Sequence, residues 1–560
     1  MHSTTWRRRG GAAFAATTAL LAVSAAPAYA DVSGEFENGV ISPTSNAKAA
    51  SETAAGGGAA VEMWDPSSVA LTVTNGADAT SAYKVRARQE ICGPAAAQMV
   101  VKVDGVTAGT FTVSATTYTD YTVTGNWAAG AHTIAVGFPN AYHNSNCIAR
   151  ELWVDRVTAV SAATGPVYYV DPTAPAGGNG TSAATAWDSI SDVNAASLPS
   201  GATVLFRTGQ TFTGAALVAD NAGVTYGSYG GGARPILDGG GSSYPITISA
   251  PFVTVKDVHV RNAGQADKIG LVVDAPDAKV QAVTATGNAI GVQAMDGAHR
   301  LRVTGSTVTD NTTVIAPGGT HDDYGASGIV VLDADDVEID HNTISRNVGP
   351  SPDFVFDGSA VEIFGGIGTS VHHNVAVDNQ TFSELGDNRT ANTRFHDNLV
   401  TTSASFSAGQ VLGINVQGSE GDFGVVKNTV ITNNTFVLRN PDAGVLVVGL
   451  GADATFHNNI VEADQSGYTY QPIDEGHNVY HGEYYNGVTS TANTSANGGI
   501  APSSVTADPL FVSATDFHLQ TGSPAKNRGV SAYGVTTDLD GLPRLYGSGV
   551  DAGAYERQSN

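Results

Sequence analysis

Charge is scarce in this chain. Only 14% of its 560 residues are Asp, Glu, Lys or Arg, and the formal net charge is −25. A nucleic-acid partner is excluded on that balance, because phosphates need Lys and Arg. The same balance weakens the case for a polyanionic substrate. Lysine is missing altogether between Lys279 and Lys427. Cysteine is down to two residues, Cys92 and Cys147, which allow one disulfide at most. No run after the first thirty residues is long and apolar enough to span a bilayer, so a membrane partner is not expected. What is abundant is Gly (66 residues), with many Val, Thr and Asn. That mixture favours strands and turns over helices.

The first thirty residues read as a signal peptide. "MHSTTWRRRG" is basic, "AAFAATTALLAVSAA" is apolar, and Ala28-Tyr29-Ala30 forms a cleavage site before Asp31. A membrane anchor is the alternative, disfavoured by the short run and by that site. The mature chain is therefore expected to be secreted, as a monomer, with Cys92 and Cys147 joined in an oxidising compartment.

Residues 31–160 alternate over short strands such as "QMVVKVDG", "GTFTVSA" and "AHTIAVGF", as a β-sandwich requires. Residues 161–166 are small, polar and end in Pro166, which suits a linker. Residues 167–560 repeat one unit, seen in "DDVEIDHNTISRN", "TSVHHNVAVDN", "TRFHDNLVTT" and "ATFHNNIVEAD". Aligned on Asn342, Asn374, Asn398, Asn434 and Asn459, the variants are spaced like coils of a solenoid with loop insertions. The expected fold is all-β: a jelly-roll-like sandwich followed by a right-handed parallel β-helix, its Asn side chains bonded along the axis. A propeller is the competitor, but its blades are longer.

Alignment on the Asn corner places "SGIVVLD" beside "SAVEIFG". Ile329, Val331, Val361 and Ile363 then point inward, and Glu362 points outward with Ala360 and Phe364. On the next coil Glu384 takes the matching slot, with Phe382 outward too. Both glutamates are expected on the exposed outer face of one sheet, roughly 5 Å apart given the strand spacing. Like charges that close raise one pKa, as a general acid requires. Neighbouring insertions add His321, Asp322, Asp323 and Tyr324, then Asp353 and Asp357. Arg389 and Asp387 follow in "LGDNRT", and Phe364 and Phe382 could stack on a sugar ring. The alternatives are a calcium site made by the same carboxylates, or mere solvated surface. Asp322-Asp323 is also a common turn pair, and His372-His373 reads as packing or solvent at the corner. The Tyr-rich residues 466–487 suit a sugar platform and a capped turn equally.

The segment from "YKVRARQEICG" to "CIARELWVDRVTAV" resembles the calcium-dependent, xylan-binding carbohydrate-binding modules. The resemblance implies binding of xylan or a related plant or microbial glycan. The family carries Asn-Asp after a Phe; here the run is Phe138-Pro139-Asn140-Ala141, which lacks that carboxylate, while Asp155 remains. A sandwich that only props up its neighbour is the plain alternative. Residues 167–557 resemble the pectate-lyase-type β-helix superfamily, which holds both polysaccharide lyases and glycoside hydrolases. Of the blocks of the polygalacturonase-like enzymes only "DD" is present. Lyases use a basic residue, for which Arg389 is the candidate. Retaining β-helix xylosidases pair an Asp and a Glu on adjacent coils. The first reading is thus a glycoside hydrolase with Glu362 and Glu384 as acid and nucleophile, and Asp357, Asp323 or Asp322 as substitutes. The others are a polysaccharide lyase and a non-catalytic carbohydrate-binding or adhesin β-helix. No cofactor is required; calcium is allowed.

Overall fold

The computed structural model describes residues 32–558, apart from 76–79, 94, 128–129, 144–148, 162–164, 242–243, 404–405, 407–410, 441–442, 483–484, 494–498 and 532. The expected signal peptide and Cys147 lie outside these residues. The chain divides into two compact units, one ending at Pro166 and the other running from Val167 to the C-terminus; the short stretch Pro199–Thr203 groups with the first. Among the described residues no helix is long and apolar enough to cross a membrane.

The first unit is a sandwich of a six-stranded and a five-stranded sheet. Its neighbouring strands pair antiparallel, as where Gly130–Phe138 lies along Ser67–Asn75. Ala97–Val103 shows why: Ala97, Met99, Val101 and Val103 are buried, while the residues between them are not. These side chains join Phe36, Met63, Tyr83 and Phe138 in one core.

The second unit is a right-handed parallel β-helix. Three long sheets of 12, 12 and 11 strands run its length, each coil giving one strand to each sheet. Many strands are three residues long, with a single inward side chain. Equivalent inward residues stack in register, as in Val371, Phe395, Ile431 and Phe456. The chain turns between the first two sheets through a left-handed residue, including His341, His373, Asp397, Asn433 and Asn458, all with φ of 54–58°. Asp and Asn enter that region more readily than most residues. The next residue is the ladder Asn. Asn342, Asn374, Asn398, Asn434 and Asn459 each donate a side-chain N–H to the following Asn, the last to Asn478, at 2.9–3.2 Å. A second ladder, Asn288–Asn311–Asn347–Asn379, bonds at 2.9–3.1 Å along another corner. The helix Ile190–Ala195, capped by Ser189, buries Ile190 and Val193 and packs against the first strand of the third sheet. Near the other end Leu519, Ala525 and Ala552 pack on Ile460 and Val479.

Candidate functional site

The third sheet carries the carboxylate pair. Val330, Glu362, Glu384 and Asn415 are consecutive partners in its parallel register, so the two glutamates are direct neighbours on adjacent strands. Both line a cleft of about 1380 Å³. Its walls are a hairpin of Val314–Ile315 with Tyr324–Gly325, a second of Gly349–Ser351 with Val355–Asp357, and the loop holding Phe423. Nine of the lining residues are Asp or Glu, one is Arg and none is Lys.

These walls change the expected exposure. Glu362 is not on an open face: it is 8% exposed, covered by the insertions. Ser327 donates to Glu362 Oε1 at 2.6 Å. Burial, and then the Glu384 charge, push the Glu362 carboxyl up to about 7. Burial also raises Glu384, while the Gln417 amide donates to its Oε1 at 2.6 Å and opposes that rise. Asp357 is pushed up to about 8 by burial, then by Glu362 and Glu384. Glu362 and Asp357 therefore hold protons near neutral pH, while Glu384, raised as well, is the one served by amide donors.

The other candidates divide. Phe364 lines the cleft and meets Phe423 edge-on at 6.2 Å. Phe382 does not face outward: it is 1% exposed and packs in the coil interior against Phe395 and Phe436. Strict alternation fails there because Phe382 and Ser383 are both buried where the strand leaves the corner. Ala360 and Val361 repeat this on the preceding coil, Ala360 likewise being fully buried rather than on the outer face. Asp323 accepts from Ser351 Oγ at 2.7 Å, and Asp322 from the Gly319 amide at 2.9 Å. The first bond ties the two hairpins together at the cleft wall; the second stays within one loop, and it is the Asp322 amide that crosses, to Asp353 Oδ2 at 3.0 Å. His321 stacks on Phe354 at 5.6 Å, and the Tyr324 hydroxyl donates to Asp267 at 3.1 Å. Asp387 accepts from the Arg389 amide at 2.8 Å. The Arg389 guanidinium bonds the carbonyls of Asp333 and Gly365 and pairs with Asp335. Sequence reasoning missed Phe354, Phe356, Phe423 and Gln417, which come from an inserted hairpin, a loop and a strand end with no periodic signal.

In the sandwich, Asn140 is consumed by structure. It accepts from the Gln98 amide at 2.7 Å and donates to the Ala96 carbonyl at 2.9 Å, while Ala141 packs on the core. Unpartnered carboxylate oxygens lie elsewhere. Glu35 Oε2, Glu37 Oε2 and Asp155 Oδ1 are buried without a hydrogen-bond partner. Asp155 is fully buried, and burial followed by the Asp155 and Glu37 charges pushes Glu35 up to about 7. Buried carboxylate oxygens without donors are what Ca²⁺ takes. Among the described residues no cysteine is free.

Residues 82–167 match the family described as Ca-dependent carbohydrate-binding module, xylan-binding, and residues 241–501 match that of the right-handed beta helix region. No curated protein sequence matches the chain. Among solved structures it is similar to pectate lyase Pel9A, at 15% identity and TM-score 0.48 over 70% of this chain and 96% of that one. It is also similar to the catalytic domain of a GH87 alpha-1,3-glucanase in complex with nigerose, at 11% identity and TM-score 0.35 over 84% and 90%. A carbohydrate-binding module, CBM36 in complex with calcium and xylotriose, aligns at 21% identity and TM-score 0.18 over 22% and 96%. The chain is a right-handed parallel β-helix protein with an N-terminal unit of the carbohydrate-binding-module type.

Proposed function

We propose that the protein is an exported glycoside hydrolase acting on a neutral polysaccharide. The observation that carries the reading is the direct pairing of Glu362 with Glu384 inside a cleft that raises both carboxyls. Paired strands are about 4.8 Å apart. Retaining glycosidases hold their two carboxyls at about 5–5.5 Å, so retention is the expected outcome. Glu362, protonated near neutral pH and steadied by Ser327, is the general acid that protonates the leaving oxygen. Glu384, facing amide donors, is the nucleophile, and Asp357 is a protonated partner that steadies the pair. Phe364 and Phe423 offer apolar faces for sugar rings.

The cleft's charge supports a neutral substrate. A polyuronate would meet nine carboxyl groups and one guanidinium. A β-elimination reading needs a base and a cationic partner for the uronate. Arg389 is committed to Asp335 and two carbonyls, which counts against it in that role.

The N-terminal unit would hold the enzyme on its polymer, with Glu35, Glu37 and Asp155 as the residues to hold Ca²⁺, whose charge would relieve their burial. The test is product analysis on a panel of neutral and uronic polysaccharides. New reducing ends with retained anomeric configuration are expected. Ultraviolet-absorbing unsaturated sugars would show a lyase instead. Glu362→Gln and Glu384→Gln should each lose about 10²–10⁴-fold in turnover. Azide should restore only the Glu384 variant. Full activity in both variants would remove the pair from the chemistry.

A further inference from the structure

Away from the cleft, the corner between the first two sheets gathers four imidazoles from successive coils. His372 and His396 stack at 4.7 Å with planes 7° apart. His373 packs edge-on to both, and His341 stacks on His373 at 5.0 Å. None of the four lines the cleft. One ring nitrogen of each of His372, His373 and His396 lies within 4.8 Å of those of the other two.

The hydrogen bonds assign the remaining nitrogens. His372 Nε2 meets Glu338 Oε1 at 3.2 Å, and His396 Nδ1 meets Asp397 Oδ2 at 2.8 Å. His373 Nε2 meets Thr537 Oγ1 at 3.4 Å. Each ring thus has an oxygen partner on one nitrogen. If those nitrogens carry the protons, the lone pairs left are on His372 Nδ1, His373 Nδ1 and His396 Nε2. His372 Nδ1 and His373 Nδ1 face each other at 3.0 Å. Two nitrogens on one tetrahedral ion would be about 3.3 Å apart, given Zn–N bonds near 2.0 Å. An imidazole that gives its second N–H to a carboxylate is also the usual form of a metal ligand.

We propose that His372, His373 and His396 form a binding site for a borderline first-row divalent cation, Zn²⁺ in the first instance. Three neutral nitrogen donors without thiolate suit that class over Ca²⁺ or Mg²⁺. The groups around the site balance. Glu338, Asp340 and Asp397 face Arg302, Arg394 and Arg544; Arg544 pairs with Asp397 and Arg302 with Asp340. Arg394 is the cation that opposes binding, and its guanidinium donates to the Tyr533 carbonyl. Three protein ligands leave a fourth position for water. Thr537 brings the C-terminal segment onto His373, and Arg544 onto Asp397, the partner of His396, so the ion would pin that segment to the coils.

The untagged full-length chain, stripped with chelator and held in excess Ca²⁺ to fill oxygen sites, is titrated with Zn²⁺ against a chromophoric competitor. One equivalent should bind, and Co²⁺ in its place should give the visible bands of a tetrahedral nitrogen site. His372→Asn and His373→Asn should abolish that equivalent. Glu338→Gln leaves the three rings in place and should weaken it about 10–100-fold. No uptake by the unaltered chain would overturn the proposal. So would uptake unchanged in the His or Glu338 variants, which would assign the ion to other residues.

Discussion

Replacing Glu362 by Gln should make the protein more stable in mild alkali while removing its activity. The Glu362 carboxyl is raised from 4.5 to about 7, chiefly by burial. The folded state therefore binds this proton more tightly than the unfolded chain does. Stability from that proton is complete below about pH 4.5 and is lost as pH rises through 7. A shift of roughly 2.5 units corresponds to about 3 kcal/mol. The Glu384 charge adds to this rise, and both glutamates raise Asp357 in turn. Gln fills the same volume, keeps an acceptor for Ser327 and cannot ionise.

The β-helix unit holds about 390 residues, so its unfolding entropy is about 0.8 kcal/mol per kelvin and 3 kcal/mol is about 4 °C. Melting curves of the unaltered protein and of Glu362→Gln, taken from pH 5 to 9, are the assay. The two should coincide near pH 5. By pH 8 the variant should melt about 4 °C higher, and the alkaline fall of the unaltered protein should be shallower in the variant. Curves that fall in parallel, or a variant less stable at pH 8, would refute the reasoning. Glu362 would then be an ionised residue held by Ser327, and could not donate the proton that the reaction needs.

Three further outcomes are expected. Calcium removal should lower the melting temperature of the first unit, and Asp155→Asn should abolish that response, because Asp155 Oδ1 has no protein partner; an unchanged melt in chelator would exclude the site. Mass spectrometry of the unreduced protein should find Cys92 joined to Cys147, closing a loop of about 55 residues worth roughly 4 kcal/mol, whereas two free thiols would end the argument. Asn374→Ala should cost about 3 kcal/mol, since it leaves the amide of Asn342 and the carbonyl of Ile339 without this partner, at about 1–3 kcal/mol each, and takes one of the two side-chain bonds of Asn342, whose other goes to the Val303 carbonyl; denaturant titration measures it, with activity on small substrates as control.

Much of this was legible in the sequence because a solenoid makes register a local property. The intervals between ladder asparagines, 32, 24, 36 and 25 residues, are the coil lengths themselves. Counting back from Asn342 and Asn374 places Val330 against Glu362, as the strands do. The second ladder was equally readable, since Asn311, Asn347 and Asn379 repeat the 36- and 32-residue steps. Phe382 was not readable by counting. Period two holds only while the strand is straight, and at the corner two successive side chains turn inward. The Glu35 and Glu37 pair was hidden for another reason. Their partner Asp155 lies more than a hundred residues away, on the antiparallel neighbour of the strand that ends at Glu35.

The burial of Glu362 was the least legible feature, and it is the one on which the proposed chemistry depends. An outward glutamate on a bare strand keeps its ordinary pKa and is a solvated residue. The same glutamate becomes an acid at neutral pH only when something removes its water. Here that is done by two hairpins inserted between coils, which cost the solenoid nothing in register because its strands still pair across them. The insertions carry no apolar periodicity, so a pattern search passes over them. Their length is nevertheless visible, as coils of 36 and 32 residues beside coils of 24 and 25. In a fold whose every coil repeats the last, the coils that run long mark where the wall is built. The carboxylates to suspect are those on the strands beneath it.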